Sequence, residues 1–168
     1  MASFAADADV WNKLTMNDTS PTFAPVKAVD AENLAQLRIA AMRESLERVG
    51  RFDPQRARDR FLKSFEPSLT RHIILDGQKA GCLVVRPGDN HLLLDHLYIH
   101  PAYQGKGIGA AVLATVFAQA DALGKSVRVG ALRESASNGF YLRHGFELVE
   151  VAQWDNFYVR RPSAAARQ

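Results

Sequence analysis

Hydrophobic and polar positions recur along this chain with two periods that alternate in blocks. Residues 1–20 show neither period and end at Ser20-Pro21, which reads as a loosely held extension. An apolar stretch over residues 23–29 predicts a first strand. Asp30 then stands as an N-cap with Glu32 in the first turn, and Leu34, Leu37, Ala41, Leu46 and Val49 follow at helical spacing until Gly50. A second helix opens with Asp53 as cap and Pro54 at its first position, carries Phe61, Leu62 and Phe65 on one side, and stops at Pro67. The period then changes to two. Residues 71–75 and 80–86 flank an Asp76-Gly77 turn, a second turn covers 87–90, and residues 91–99 are apolar enough for a central strand. After the loop 100–104, a glycine-rich turn opens a helix. Val112, Leu113, Val116, Phe117, Ala120 and Leu123 form its apolar stripe, and Gly124 ends it. A strand at 126–131, a short helix at 135–143, and strands at 146–151 and 154–160 complete the series. The order β-α-α-β-β-β-α-β-α-β-β predicts one mixed α/β domain over residues 23–161, with an extension at 1–22 and a tail at 162–168.

Composition narrows the class. The 168 residues are 47% hydrophobic and 23% charged, which suits a packed core and excludes a disordered or collagen-like chain. A net charge of +3 is too mild to argue nucleic-acid binding by itself. The single cysteine, Cys82, rules out an intramolecular disulfide and any multi-cysteine metal site, and its apolar strand makes it a small buried hydrophobe. No apolar run approaches the ~18 residues of a membrane span. The N-terminus carries two Asp and no basic segment, unlike a signal peptide. The expectation is a cytoplasmic domain with no membrane or nucleic-acid partner and no metal.

The most informative segment lies between residues 97 and 109. Gly105, Gly107 and Gly109 strip Cβ atoms from a tight turn at a helix start, where backbone N–H groups and the helix dipole suit a phosphate or pyrophosphate. A Walker A loop would need Ser or Thr after Lys106, and Gly107 stands there. The dinucleotide pattern is met formally by Gly105, Gly107 and Ala110. That pattern follows its strand directly, whereas five residues including Pro101 intervene here, and no suitably placed acid follows.

The stretch 94–122 resembles motif A of the GNAT superfamily of acyl-coenzyme A-dependent N-acyltransferases: strand, V/I-x-P-x-x-[QR]-x-x-G-x-[GA], then helix. It is carried by Ile99, Pro101, Gln104, Gly107 and Gly109. Downstream, Phe140-Tyr141-Leu142-Arg143-His144-Gly145-Phe146 is similar to the family's [LF]-Y-x-[KR]-x-G-F signature, and the element order agrees over residues 23–161. The resemblance implies a mixed, mostly antiparallel sheet with a central splayed parallel strand pair, flanked by helices. It implies acetyl-CoA as co-substrate, with pyrophosphate on the backbone of Gln104, Gly105, Lys106, Gly107, Ile108 and Gly109. The pantetheine arm would pair with the main chain of Leu97, Tyr98 and Ile99. Many members place an Asn six or seven residues before the tyrosine. Those positions hold Ser135 and Glu134, and Asn138 is the nearest substitute as a cofactor contact.

Acyl transfer to an amine requires loss of a proton from the ammonium and benefits from protonation of the departing thiolate. Tyr141 occupies the family's general-acid position. For the base, Asp95 and His96 sit on the central strand and point to opposite faces by strand alternation, and a water relay serves the same end. The acceptor would meet residues 38–71, where nine Lys and Arg face five acids. Glu44–Arg48 and Glu47–Arg51 have the i,i+4 spacing of helix-supporting pairs; one or two arginines, Arg51 or Arg56, are candidates for an anionic group on the acceptor. Trp154, Asn156 and Tyr158 are candidates for the same pocket. The expected function is N-acetyl transfer to a small-molecule or peptide amine, with a homodimer compatible. The alternatives are a coenzyme-binding domain without turnover and nucleic-acid binding through the arginine-rich helices.

Overall fold

A computed structural model describes residues 20–164. Most of the expected extension, residues 1–19, and the end of the tail, residues 165–168, lie outside the described residues. Seven strands form one sheet: β1 (Thr22–Pro25), β2 (Thr70–Leu75), β3 (Gln78–Pro87), β4 (His91–Ile99), β5 (Ser126–Leu132), β6 (Glu147–Val151) and β7 (Asp155–Arg160). Their spatial order is β1-β2-β3-β4-β5-β7-β6. Every neighbouring pair is antiparallel except β4–β5, which is parallel. Four helices flank the sheet: α1 (Ala31–Arg48), α2 (Pro54–Ser64), α3 (Ile108–Ala122) and α4 (Ala136–Arg143).

The first strand is shorter than its apolar pattern suggests. It stops at Pro25, and residues Ala28–Asp30 form a 3-10 turn. Asp30 accordingly caps that turn, accepting from the Lys27 N–H at 2.8 Å, instead of capping α1 with its side chain. The cap expected for α2 is present: the Asp53 carboxylate accepts from the Arg56 N–H at 3.1 Å.

The sheet separates two cores. On one face α3 buries Ile108, Val112, Leu113 and Val116 against Leu92, Leu94, Val127 and Val129, with Tyr141 and Phe146 closing the end. On the other, α1 and α2 bury Leu34, Ala35 and Phe61 against Cys82, with Tyr98 packed beside them. Cys82 is thus the buried hydrophobe expected, and burial pushes its thiol up to about 12.

Two irregularities of β4 shape everything that follows. The β3–β4 register pairs Val85 with Leu94 but Val84 with His96, so Asp95 is an extra residue, a bulge. Leu92 and Leu94 face the α3 core before it; Leu97 and Ile99 face that same core after it. Asp95 and His96 consequently share the opposite face, which corrects the expectation from regular alternation. The second irregularity is that β4 pairs with β5 only from His91 to Leu94. Beyond that point β4 follows β3 out to Ile99 and β5 follows β7 out to Leu132, which opens a V-shaped gap between the parallel strands.

Candidate active site

The gap brings the expected elements together. The main chain of Leu97, Tyr98 and Ile99 is paired with β3 on one side and with no strand on the other. Pro101–Tyr103 makes a 3-10 turn capped by the His100 ring, and the Gln104 side chain donates to the Ile99 carbonyl at 2.9 Å, which pins the loop to the end of β4. Gly105 and Gly107 both adopt φ +78°, and nothing lies within 4 Å of the place a Cβ would take. Gly107 is the N-cap of α3 and supplies no side-chain cap, so the first N–H groups of the helix are left for an external acceptor. Lys106 lies over the Tyr103 ring at 5.5 Å. Gly109 is required for a different reason: a Cβ there would meet Phe140 Cζ at 3.1 Å, because α4 packs onto the start of α3. The residues present therefore fit a pyrophosphate-bearing group.

On α4, Tyr141 is 6% exposed, packed edge-on against Phe146 at 5.2 Å. Burial, reinforced by the nearby Tyr98 phenol, raises its own phenol far above the ordinary range, so it stays protonated at neutral pH. Asn138 is occupied within the protein. Its Nδ2 donates to the carbonyls of Leu132 (2.9 Å) and Ser135 (3.0 Å), and its Oδ1 accepts from Asn156 Nδ2 (2.9 Å) and the Tyr158 hydroxyl (2.7 Å). The side chain ties α4 to the ends of β5 and β7. The same bonds show Asn156 and Tyr158 supporting α4, although Tyr158 also borders the cleft described below.

The bulge assembles a polar chain on the α1–α2 side. Arg86 Nε donates to Asp95 Oδ2 at 2.7 Å and Arg86 Nη1 to Glu66 at 2.9 Å. Asp95 Oδ2 stands 3.7 Å from His96 Nε2, and His96 Nδ1 is 2.8 Å from the Tyr98 hydroxyl. Burial holds the imidazole well below its usual pKa; Asp95 opposes this, while the Arg38, Arg86 and Arg60 cations add to it. His96 is therefore neutral at pH 7. Burial also pushes the Tyr98 phenol up to about 12, so it carries its proton, with the Arg38 guanidinium beside it. Sequence reasoning missed Tyr98 and Arg38 as polar partners here. The available signal was Arg38 itself, a charge within the buried stripe of Leu34 and Ala35.

These residues line one wall of a cleft of about 680 Å³ bounded by α1, α2, β4, β5 and the β6–β7 hairpin. Two contacts bridge α1 and its following loop to the opposite side: Arg51 stacks on Trp154 at 3.9 Å, and Arg48 Nη1 donates to the Glu134 carbonyl at 3.1 Å. The expected Glu47–Arg51 pair does not form, since Glu47 pairs with Arg43 at 2.9 Å, whereas Glu44–Arg48 does form at 3.2 Å. Among the described residues no group of three or more His, Cys, Asp or Glu is placed to hold a metal, and no helix is long and apolar enough to cross a membrane.

A mixed sheet splayed at one parallel pair, with a glycine turn and a helix start at the mouth of the splay, is the arrangement that the GNAT resemblance implies. Residues 69–148 match the family model of the acetyltransferase (GNAT) domain, the stretch that carries both motifs of the resemblance. The PaiA N-acetyltransferase of Thermoplasma acidophilum, solved in complex with coenzyme A, superposes with a TM-score of 0.70 at 16% identity, covering 84% of this chain and 99% of that one. An acetyltransferase of Thermus thermophilus gives 0.68 at 19% identity, covering 87% and 99%. The ribosomal-protein-S18-alanine N-acetyltransferase of Escherichia coli gives 0.64 at 14% identity, covering 88% and 97%. At these identities the likeness establishes the fold. No curated protein sequence matches the chain.

Proposed function

We propose that this protein transfers an acetyl group from acetyl-CoA to a primary amine by direct attack within a ternary complex. The observation that carries the reading is the end of β4–β5 pairing at Leu94 and Val129, which opens the sheet beside the glycine turn and the start of α3. The backbone of residues 104–109 would hold the pyrophosphate, and the unpaired edge of Leu97, Tyr98 and Ile99 would hold the pantetheine arm as an added strand. Acetyl-CoA supplies an activated acyl group as its thioester.

The protein's own residues supply positioning and proton transfer. The acceptor enters from the cleft on the α1–α2 side, so the gap in the sheet lets it approach the thioester from the face opposite α3. Asp95, anchored by Arg86, or the neutral His96 receives the proton of the ammonium, directly or through water. Tyr141, protonated and dry, donates to the departing thiolate. Release of free thiol from acetyl-CoA against a broad amine library, with mass spectrometry of the N-acetylated product, tests this. Tight acetyl-CoA binding with no acetylated amine would overturn it in favour of a coenzyme-binding domain without turnover.

A further inference from the structure

Building on the reading of the cleft as an acceptor site, we infer that the acceptor amine also carries an anionic group, a carboxylate or phosphate, anchored by Arg56 and Arg60. The arginines of α1, α2 and the loop between them fall into two sets. Arg43, Arg48 and Arg58 lie on the helix surfaces and are neutralised by Glu47 (2.9 Å), Glu44 (3.2 Å) and Glu32 (2.8 Å). Arg38, Arg51, Arg56 and Arg60 line the cleft, and none has a carboxylate within ion-pair distance among the described residues. Arg51 is stacked on Trp154, which leaves three.

Their placement is specific. Arg56 and Arg60 are four residues apart on α2, next to Ala57 and Phe61, which anchor that helix to the core. The Phe61 ring lies 5.6 Å from the His96 ring, so this arginine pair borders the wall that carries Asp95 and His96. Asp53, which also lines the cleft, accepts from the Arg56 backbone N–H at 3.1 Å and forms no ion pair with either arginine. Behind them Arg38 is only 9% exposed; its Nη1 donates to the Ala57 carbonyl at 2.8 Å, and its Nε is buried with no partner. A buried, unsatisfied guanidinium donor beside two unpaired arginines marks a wall built for negative charge. Across the cleft stand Glu150 and Asp155 of the β6–β7 hairpin. The helix side carries the four arginines with Asp53, and the sheet side carries Asp95, Glu150 and Asp155 with Arg128, so the cleft offers partners to both an anionic and an ammonium end.

Matched primary amines test this with the full chain: 4-aminobutyrate against butylamine, and O-phosphoethanolamine against ethanolamine. At least one anionic amine should be preferred in kcat/KM by about tenfold, the size of a charge-assisted contact, and its KM should rise with salt. Which arm wins tells carboxylate from phosphate. Combined R56A/R60A should collapse the preference, and R58A, whose partner Glu32 lies outside the cleft, should keep it. Calorimetry of the same amines with the protein saturated in coenzyme A gives a readout independent of turnover. Arginine-dependent binding of an anionic amine without its acetylation would sink the transfer reading and leave the anion site standing. Equal kcat/KM for charged and neutral amines, or equal binding by wild type and R56A/R60A, would overturn the inference.

Discussion

Replacing Asn138 by Ala separates a structural role from a cofactor contact by size and kind of effect. The change removes the acceptor of the Tyr158 hydroxyl, 2.7 Å away on a residue only 2% exposed, and the donor to the Leu132 carbonyl at 2.9 Å. A buried polar group left without a partner costs about 1–3 kcal/mol. Asn156, half-buried, can turn toward water and adds little. The sum is about 2–6 kcal/mol, a fall in Tm of roughly 4–24 °C for a domain of this size, within the total stability of an ordinary fold. Tyr158→Phe alone should cost about 1 kcal/mol, because Oδ1 keeps its bond from Asn156 at 2.9 Å. In the double variant N138A/Y158F no hydroxyl is orphaned, so its loss should be smaller than the sum of the singles. Thermal unfolding by circular dichroism reads all three. An N138A protein that melts within a degree or so of wild type but shows a large rise in acetyl-CoA KM would refute the structural assignment and favour the cofactor contact.

Tyr141→Phe should depress kcat at least tenfold while sparing acetyl-CoA affinity; an unchanged kcat would remove Tyr141 as the acid. Gly81→Ala should cost about 3 kcal/mol, because the added carbon would collide with the Tyr98 carbonyl oxygen, and an unshifted Tm would contradict that close approach of β3 and β4. His96 gives a pH signature. Its folded pKa lies below the ordinary value near 6.5, so between the two the unfolded chain binds more protons and stability falls as pH drops from about 7 toward 5. His96→Gln should flatten that slope by a few degrees of Tm; parallel slopes for wild type and variant would argue against a buried neutral imidazole.

Elements whose periodicity reflects one dominant contact could be read from sequence. The α3 stripe of Val112, Leu113, Val116 and Ala120 is buried as its spacing predicts, whereas Leu123, the last member of the predicted stripe, is exposed beside Gly124, which ends the segment at φ +66°. Where two contacts compete, local pattern chose wrongly. Glu47 lies four residues from both Arg43 and Arg51, and the stacking of Arg51 on Trp154, more than a hundred residues away in sequence, decides between them. Asn138 was judged by distance from Tyr141 along the chain, whereas its partners Leu132, Asn156 and Tyr158 are fixed by sheet order. The glycine turn was legible because its chemistry is backbone chemistry. The acceptor wall was legible only as a surplus of arginine, since separating paired from unpaired side chains requires both helices in place.

The bulge was written in the sequence in a form that local propensity does not capture. From residue 92 to 99 the core-facing positions run Leu92, Leu94, then Leu97 and Ile99, a change from even to odd across Asp95-His96. Two polar residues in succession where one face must remain apolar require an inserted residue, because regular alternation would drive either Asp95 or His96 under α3. The insertion also bends the strand and increases its twist, and pairing with β5 ends at Leu94, the residue before it. A strand that kept its alternation could have stayed beside β5 to Ile99, leaving no gap for a thioester and no shared face for Asp95 and His96. One extra residue thus accounts both for the opening in the sheet and for the polar pair at its edge.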